Sequence, residues 1–442
     1  MNYKQLKPTW VLCLGLLAVA PAQGQVVKQL SLPEAIKLGL ANSKQLKLSD
    51  AQAAIAQASL QEIKDRRLPS ASFSGAYLRV TKPTVSLLLN LGNSSGGSQN
   101  PPPSVTQAMY AMGNASYTLF DGFQNAADIQ AAKRKNQATL LELEADKQSV
   151  LQNIINAYSI LYKANSSVAL VKENLNQAHQ RTLDFENLEK NGLVARNDLL
   201  KVKLQESNIQ LSLLDAERDM HIANLTLDLL LGFSEDTQLQ LDAASFESSK
   251  EIQSLSYWEQ QAMEQRPDFK AIELRRQAAQ YAIKSAKGAY YPSISLTGGY
   301  LALNVPNALT VSDAWNGGLG LRYNLSSLWK TSASVHMAKA QLMQVQTNQA
   351  MMSDQIRVQL YQSYEAYLLS QKKIDVLDVA LQQATENYKI VKNKHNNSLA
   401  TTTDLLEADV QQLQAKLNYA YAKADALVAY NHLLQTAGVL KN

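Results

Sequence analysis

The chain has 442 residues, of which 18% are charged and 7% aromatic, and its formal charge is +4. This composition excludes a disordered chain, and so small a charge without any basic arm excludes an electrostatic footprint for nucleic acid. On length alone, two to three ordinary domains would be expected.

In chain order, Lys4 and Lys7 precede the apolar run TWVLCLGLLAVA, which ends in Ala20-Pro21-Ala22. This pattern predicts a secretory signal peptide over 1–22. The run is too short for a membrane anchor, which takes roughly 20 apolar residues. Cys13, the only cysteine, falls inside the run, so the exported chain is expected to have no disulfide framework and no cysteine-ligated metal. No later apolar stretch approaches spanning length, so a membrane crossing would have to be made by strands.

The remainder reads as a duplication. RLPSASFSGAYL (67–78) aligns with YYPSISLTGGYL (290–301) at an offset of 223 residues. Downstream the offset is 206, as in Tyr117/Tyr323, Tyr158/Tyr364, Asp198/Asp404 and Gly232/Gly438. The change of offset marks extra length in the first copy near NLGNSSGGSQNPPPS (90–104), a loop composition. The first repeat is read as 23–232, with a hairpin over about 70–120, a long helix over about 124–190 and a turn at 191–198. A non-periodic linker, 233–254, leads to the second repeat, 255–442. That repeat has its hairpin at about 292–326, its long helix at about 328–395 and its turn at 396–404. One helix is predicted before each hairpin, over 33–67 and 256–290.

Two periodicities carry the fold. Val150, Ala157, Ala164, Val171 and Ala178 recur every seven residues, with Ile154, Leu161, Val168 and Leu175 beside them, which predicts long helices coiled on neighbours. In 71–77 and 294–300, by contrast, residues alternate: Phe73, Tyr77, Leu296 and Tyr300 share one face, with Ser72, Ser74, Ser295 and Thr297 on the other. Four such segments match the strands of an outer-membrane barrel. Phe120, Phe123, Tyr290, Tyr291 and Trp329 gather where strands meet helices, as an aromatic interface belt would. Four strands cannot close a barrel, and lipid forbids open edges. The chain is therefore expected to pool strands with copies of itself, three copies giving twelve.

The phrases NGLVARND and LATTTDLLEAD, with YTLFDGF (117–123) before the long helix, carry a resemblance to the TolC-type outer-membrane efflux proteins, the outer membrane factor family. It covers essentially the whole chain after the signal. The resemblance implies a homotrimer: a 12-stranded β-barrel in the outer membrane lipid of a Gram-negative-type cell, continued into the periplasm by an α-helical tunnel. It also implies a passive efflux or secretion channel working with a periplasmic adaptor (a membrane fusion protein) and an inner-membrane pump. The turns would form the periplasmic tip, with Gly192, Leu193, Val194, Asp198, Ser398, Leu399 and Thr403 at the gate and docking surface. Asp404 and Glu407 match the family's acidic constriction pair. The basic partner expected in the second turn is absent, Ala400 standing there, and Arg196 is a candidate substitute.

A second reading of Asp198 and Asp404 stays open: each follows a good capping residue, Asn197 or Thr403, at a helix start where the dipole favours a carboxylate. A rival function, a secreted coiled-coil scaffold or adhesin without a pore, explains the helices but not the matched strands. Enzymatic chemistry finds no constellation, since the five histidines are scattered and neither a metal motif nor a phosphate loop is present. No cofactor is expected.

Overall fold

In the computed structural model the described residues are 27–79, 81, 105–246, 252–306 and 309–441; the predicted signal peptide and the 90–104 loop lie outside them. The chain is mainly helical, and each repeat is built the same way. The first contains β1 (Val27–Leu30), α1 (Leu32–Asn42), α2 (Lys44–Asp65), β2 (Ser70–Arg79), β3 (Gln107–Phe120), α3 (Gln124–Lys190) and α4 (Arg196–Leu231). The second contains β4 (Gln238–Leu241), α5 (Leu255–Gln265), α6 (Pro267–Gly288), β5 (Ser293–Val305), β6 (Leu309–Arg322), α7 (Ser327–Asn396) and α8 (Thr402–Thr436). At 67 and 70 residues, α3 and α7 are each about 100 Å long at 1.5 Å per residue.

The helices predicted over 33–67 and 256–290 are each broken in two. Ser43 adopts φ −56°, ψ 119° and its hydroxyl accepts from Leu46 N at 3.2 Å, capping α2. Arg266 adopts nearly the same angles before Pro267, the first residue of α6. Proline pushes its predecessor out of the α region, and a capping hydroxyl competes with the helix in the same way. Each break rests on the glycine that ends its own repeat. Asn42 Nδ2 donates to Leu231 O at 2.6 Å beside Gly232, and Arg266 Nη1 donates to Thr436 O at 3.2 Å beside Gly438. Both glycines have φ near +75°.

Part of the expected 233–254 linker is a strand: β4 (Gln238–Leu241) pairs in parallel with β1, Val27 opposite Gln238. Tyr158 of α3 holds this strand pair. Its hydroxyl donates to Leu30 O at 3.0 Å and accepts from Asp242 N at 3.2 Å. Burial pushes the phenol up to about 12. Around it pack Leu30, Ile154, Leu161, Leu227 and Leu231, so the heptad stripe of α3 forms the core here.

The hairpins join into one antiparallel sheet of order β2-β3-β5-β6. Phe73, Gly113, Tyr300 and Trp315 stand abreast on one face, as do Tyr117, Leu296 and Leu319. Ser116, Thr297 and Gly318 stand abreast on the other. Phe73, Trp315 and Leu319 are all exposed, so one face of the sheet is apolar and uncovered. Among the described residues, strands β2 and β6 each pair on one side only. Among the described residues, no helix is long and apolar enough to cross a membrane.

Asp228 of α4 is fully buried, with Oδ1 unpaired and Oδ2 accepting from Asn224 Nδ2 at 2.6 Å. Burial raises its carboxyl to about 6. The folded state then holds this proton more tightly than the unfolded one. Stability conferred by the neutral acid is complete below about pH 4 and is lost as pH rises to about 6. Asp228→Asn cannot ionise, so its thermal midpoint in detergent is expected to exceed the parent's above pH 6, the gap closing near pH 4. The difference at neutral pH corresponds to at most about 3 kcal/mol.

Candidate functional site: the helical tips

The two turns that join α3 to α4 and α7 to α8 have one geometry. After α3, Leu193 N donates to Leu188 O at 2.8 Å and Gly192 N to Glu189 O at 2.9 Å. After α7, Leu399 N donates to Lys394 O at 2.8 Å and Ser398 N to His395 O at 2.9 Å. This is the Schellman pattern, which requires a left-handed residue just past the helix end. Gly192 (φ +71°) and Ser398 (φ +60°) supply it. Leu193 and Leu399 are thrust outward, 71% and 76% exposed. Val194 instead turns inward onto Phe185, Leu199 and Val202, with Leu406 of the other tip.

The capping residues differ from the sequence expectation. The caps are Ala195 and Thr401, not Asn197 and Thr403, so each new helix starts two residues earlier than the sequence suggests. The chain leaves the Schellman turn in extended conformation and is already at a capping geometry at Ala195 (ψ 147°) and Thr401 (ψ 160°). Asp198 and Asp404 are thereby the third residues of α4 and α8. At Thr401 a complete capping box forms: Asp404 N donates to Thr401 Oγ1 at 3.1 Å, and Thr401 N donates to Asp404 Oδ2 at 2.9 Å. The Thr401 side-chain and backbone hydrogen bonds hold the Asp404 carboxyl below its ordinary value. Ala195 offers no side-chain cap, and Asp198 pairs with Lys201 at 3.3 Å. Glu407 is exposed and accepts from Gln411 Nε2 at 3.2 Å.

Arg196 does not reach the second turn. Its ion pair is with Glu189, 3.7 Å away across its own turn, and its side chain is 79% exposed. A polar contact between the tips is made by Lys201, whose Nζ donates to Thr403 Oγ1 at 3.4 Å. His395 stacks on Phe185, ring centroids 5.5 Å apart. Desolvation lowers its pKa below the ordinary imidazole value, nearby Asp198 opposing and Arg181 reinforcing that shift. Behind the tip, the groove between the two helical hairpins encloses about 1320 Å³ and is lined by Asp184, Asp198, Lys201, Tyr388, Lys392 and Thr403 among others.

Deeper in that groove lies a cluster that the sequence reading missed. Arg181 Nη1 of α3 donates to Asp409 Oδ2 of α8 at 3.0 Å, Asn174 Nδ2 donates to Asp409 Oδ1 at 3.2 Å, and Arg181 Nη2 donates to Tyr388 OH of α7 at 3.3 Å. The signal was present: Asp409 and Gln412 interrupt the buried stripe that begins Thr402, Leu405. Asn174 and Arg181, seven apart, flank the heptads of α3.

At the other end, Phe120 and Phe123 meet edge-on at 5.3 Å. Phe123, Tyr291 and Trp329 are exposed, and Tyr290 is half-buried. All five aromatics sit at the sheet–helix junction, where Gly122 and Gly288 let the two repeats approach.

The chain thus combines an amphipathic sheet, two long helical hairpins and paired tip turns. The chain belongs to the outer membrane efflux protein family, whose profile matches residues 36–233 and 258–439. It is 24% identical over 329 residues to the outer membrane efflux protein BepC of Brucella suis, covering 72% of this chain and 70% of that one. Its fold is similar to that of the CmeC outer membrane channel of Campylobacter jejuni (TM-score 0.78, 19% identity, 92% of this chain and 85% of that one). It is likewise similar to the outer membrane protein VceC of Vibrio cholerae (TM-score 0.75, 20% identity, 92% and 96%). Family membership sets aside the poreless scaffold or adhesin, and the protein is not an enzyme.

Gly192 shows what the turn demands. A Cβ added there would meet nothing within 4 Å, so only its backbone conformation matters. Gly192→Ala is expected to destabilise the turn by about 1 kcal/mol, the usual penalty for a side chain in the left-handed region. Ser398→Gly should do the opposite by a similar or smaller amount. Hydrogen exchange of the amides at 188–193 and 394–399 measures both, as faster and slower exchange respectively.

Proposed function

We propose that this protein is the exit duct of a tripartite efflux or secretion assembly, a homotrimer that passively conducts substrate outward and opens at its helical tips. The observation that carries this reading is the four-stranded sheet with an exposed apolar face and two unpaired edges. In hydrocarbon those edges need partner strands, and three copies supply a closed twelve-stranded barrel. Exposed apolar side chains along α4 (Leu200, Leu204, Leu211) and α7 (Met343, Val358, Tyr361) support the same conclusion for the tunnel, since a second copy would cover them. The five junction aromatics then mark the lipid–water boundary, with the helices on the periplasmic side.

The projecting Leu193 and Leu399, with Gly192, Val194, Ser398 and Thr403 around them, are the surface offered to a periplasmic adaptor and, through it, an inner-membrane pump. Asp404 and Glu407 lie on exposed α8 surface one turn apart. In a trimer they place six carboxylates around the tunnel mouth, a ring that favours cations. Asp404 serves the helix cap and the ring with the same charge.

Two experiments test this reading. Purified in detergent, the protein is expected to run as a heat-sensitive trimer from the outer-membrane fraction; a monomer soluble without detergent would overturn the assembly. In planar bilayers, Asp404→Ala with Glu407→Ala is expected to weaken cation selectivity and block by multivalent cations. Unchanged conductance and block would remove the acidic ring while leaving the channel intact.

A further inference from the structure

The tip can open only if one helical hairpin moves relative to the other, because α3 with α4 and α7 with α8 are each tied by a Schellman turn. Bonds within a pair do not resist that motion; bonds across the pairs do. Near the tip the cross-pair polar contacts are few: Lys201 to Thr403, Lys416 to Glu173, and the Arg181–Asp409–Asn174–Tyr388 cluster. The first two are exposed at the surface, where such pairs contribute little. The third is different, since the Asp409 side chain is 1% exposed and that of Arg181 9%. Both oxygens of Asp409 are satisfied from α3, and the second arm of Arg181 reaches α7. Desolvation works against the Arg181 charge, but the Asp409 hydrogen bond and charge outweigh it and hold the guanidinium charged.

We infer that Arg181 is the latch of the closed tip: through Asp409 and Tyr388 it holds both helices of the second hairpin against α3, and it must let go of at least one of them before the tip opens. This rests on the channel reading above and adds the residue that stores the closing energy. Arg181 sits about 14 Å from the end of α3 and Asp409 about 10 Å from the start of α8 at 1.5 Å per residue, within two to three turns of the tip. Asp409 lies two positions after Glu407 and five after Asp404 on one rigid helix. Holding its buried face fixes where the opposite, exposed carboxylates stand, so Arg181 is a positioning residue for the constriction. The latch also accounts for Ala400, where a clasp inside the turn would need a cation: this chain clasps deeper and behind the tip. Breaking one side of a buried pair is costly, so a partner that opens the tip has to supply that cost on docking.

The test compares resting conductance in planar bilayers with the thermal midpoint for Tyr388→Phe, Asp409→Asn and the exposed control Lys201→Ala. Tyr388→Phe removes one hydroxyl from a half-buried ring and leaves the Arg181–Asp409 pair in place, so it folds even if Asp409→Asn does not. Losing a hydrogen bond to a charged group is worth about a tenfold change in the closed-to-open ratio. Tyr388→Phe is therefore expected to raise the open fraction about tenfold with its midpoint nearly unchanged, Asp409→Asn by more, and Lys201→Ala far less. Conductance unchanged in Tyr388→Phe, whether or not Asp409→Asn loses stability, would overturn the latch and leave a structural ion pair. A parent protein that forms no pores at all would instead refute the channel reading.

Discussion

An unpaired strand edge cannot face hydrocarbon, and this constraint organises the molecule. The sheet β2-β3-β5-β6 satisfies its interior amides and leaves β2 and β6 each open on one side. Water would tolerate that and lipid does not. In the channel proposed above, strands from other copies close the sheet. Two hairpins related by repeat and joined β3 to β5 give an even, antiparallel set of four strands, with the helices of both repeats leaving on one side.

The two halves share geometry while diverging in chemistry. Both tips use a Schellman turn, yet the left-handed residue is glycine in one and serine in the other. The cap is a bare Ala195 in one and a full Thr401–Asp404 box in the other. The second tip is thus held by its own capping box, where the first has the ion pairs of Lys201 with Asp198 and of Arg196 with Glu189. Likewise each helix break leans on the glycine ending its repeat, but through Asn42 in one copy and Arg266 in the other. Backbone demands are inherited by both copies; side-chain partners are chosen separately.

That distinction explains what could be read from the residues. Seven-residue periodicity in α3 located a real core, because Ile154, Leu161 and Val171 are buried whichever neighbour covers them. Two-residue alternation located the strands because successive side chains of a strand fall on opposite faces of the sheet, covered or not. Caps and breaks were misplaced because they depend on turn geometry. Thr403 is as good a capping residue as Thr401, and only the backbone, extended at Thr401 and already helical from Thr402, decides between them. The breaks at Ser43 and Arg266 were hidden by apolar patterning that continues across them. The Arg181 cluster escaped because its members lie 207 and 228 residues apart, and no local pattern joins them.

A polar cluster in an otherwise apolar seam is also informative about why it persists. Upstream, α3 meets its neighbours through Val150, Ile154, Ala157 and Leu161; towards the tip the seam turns to Asn174, Arg181, Thr182, Asp409 and Gln412. Well-packed apolar residues there would generally be no less stable than an ion pair. They would also tolerate sliding, since one leucine fits the next hole almost as well. A guanidinium facing one carboxylate tolerates only a single register, and it releases abruptly once the geometry is lost. For the gate proposed above, a seam that fixes register and lets go in one step serves better than a greasy one, and it stands within three turns of the tips.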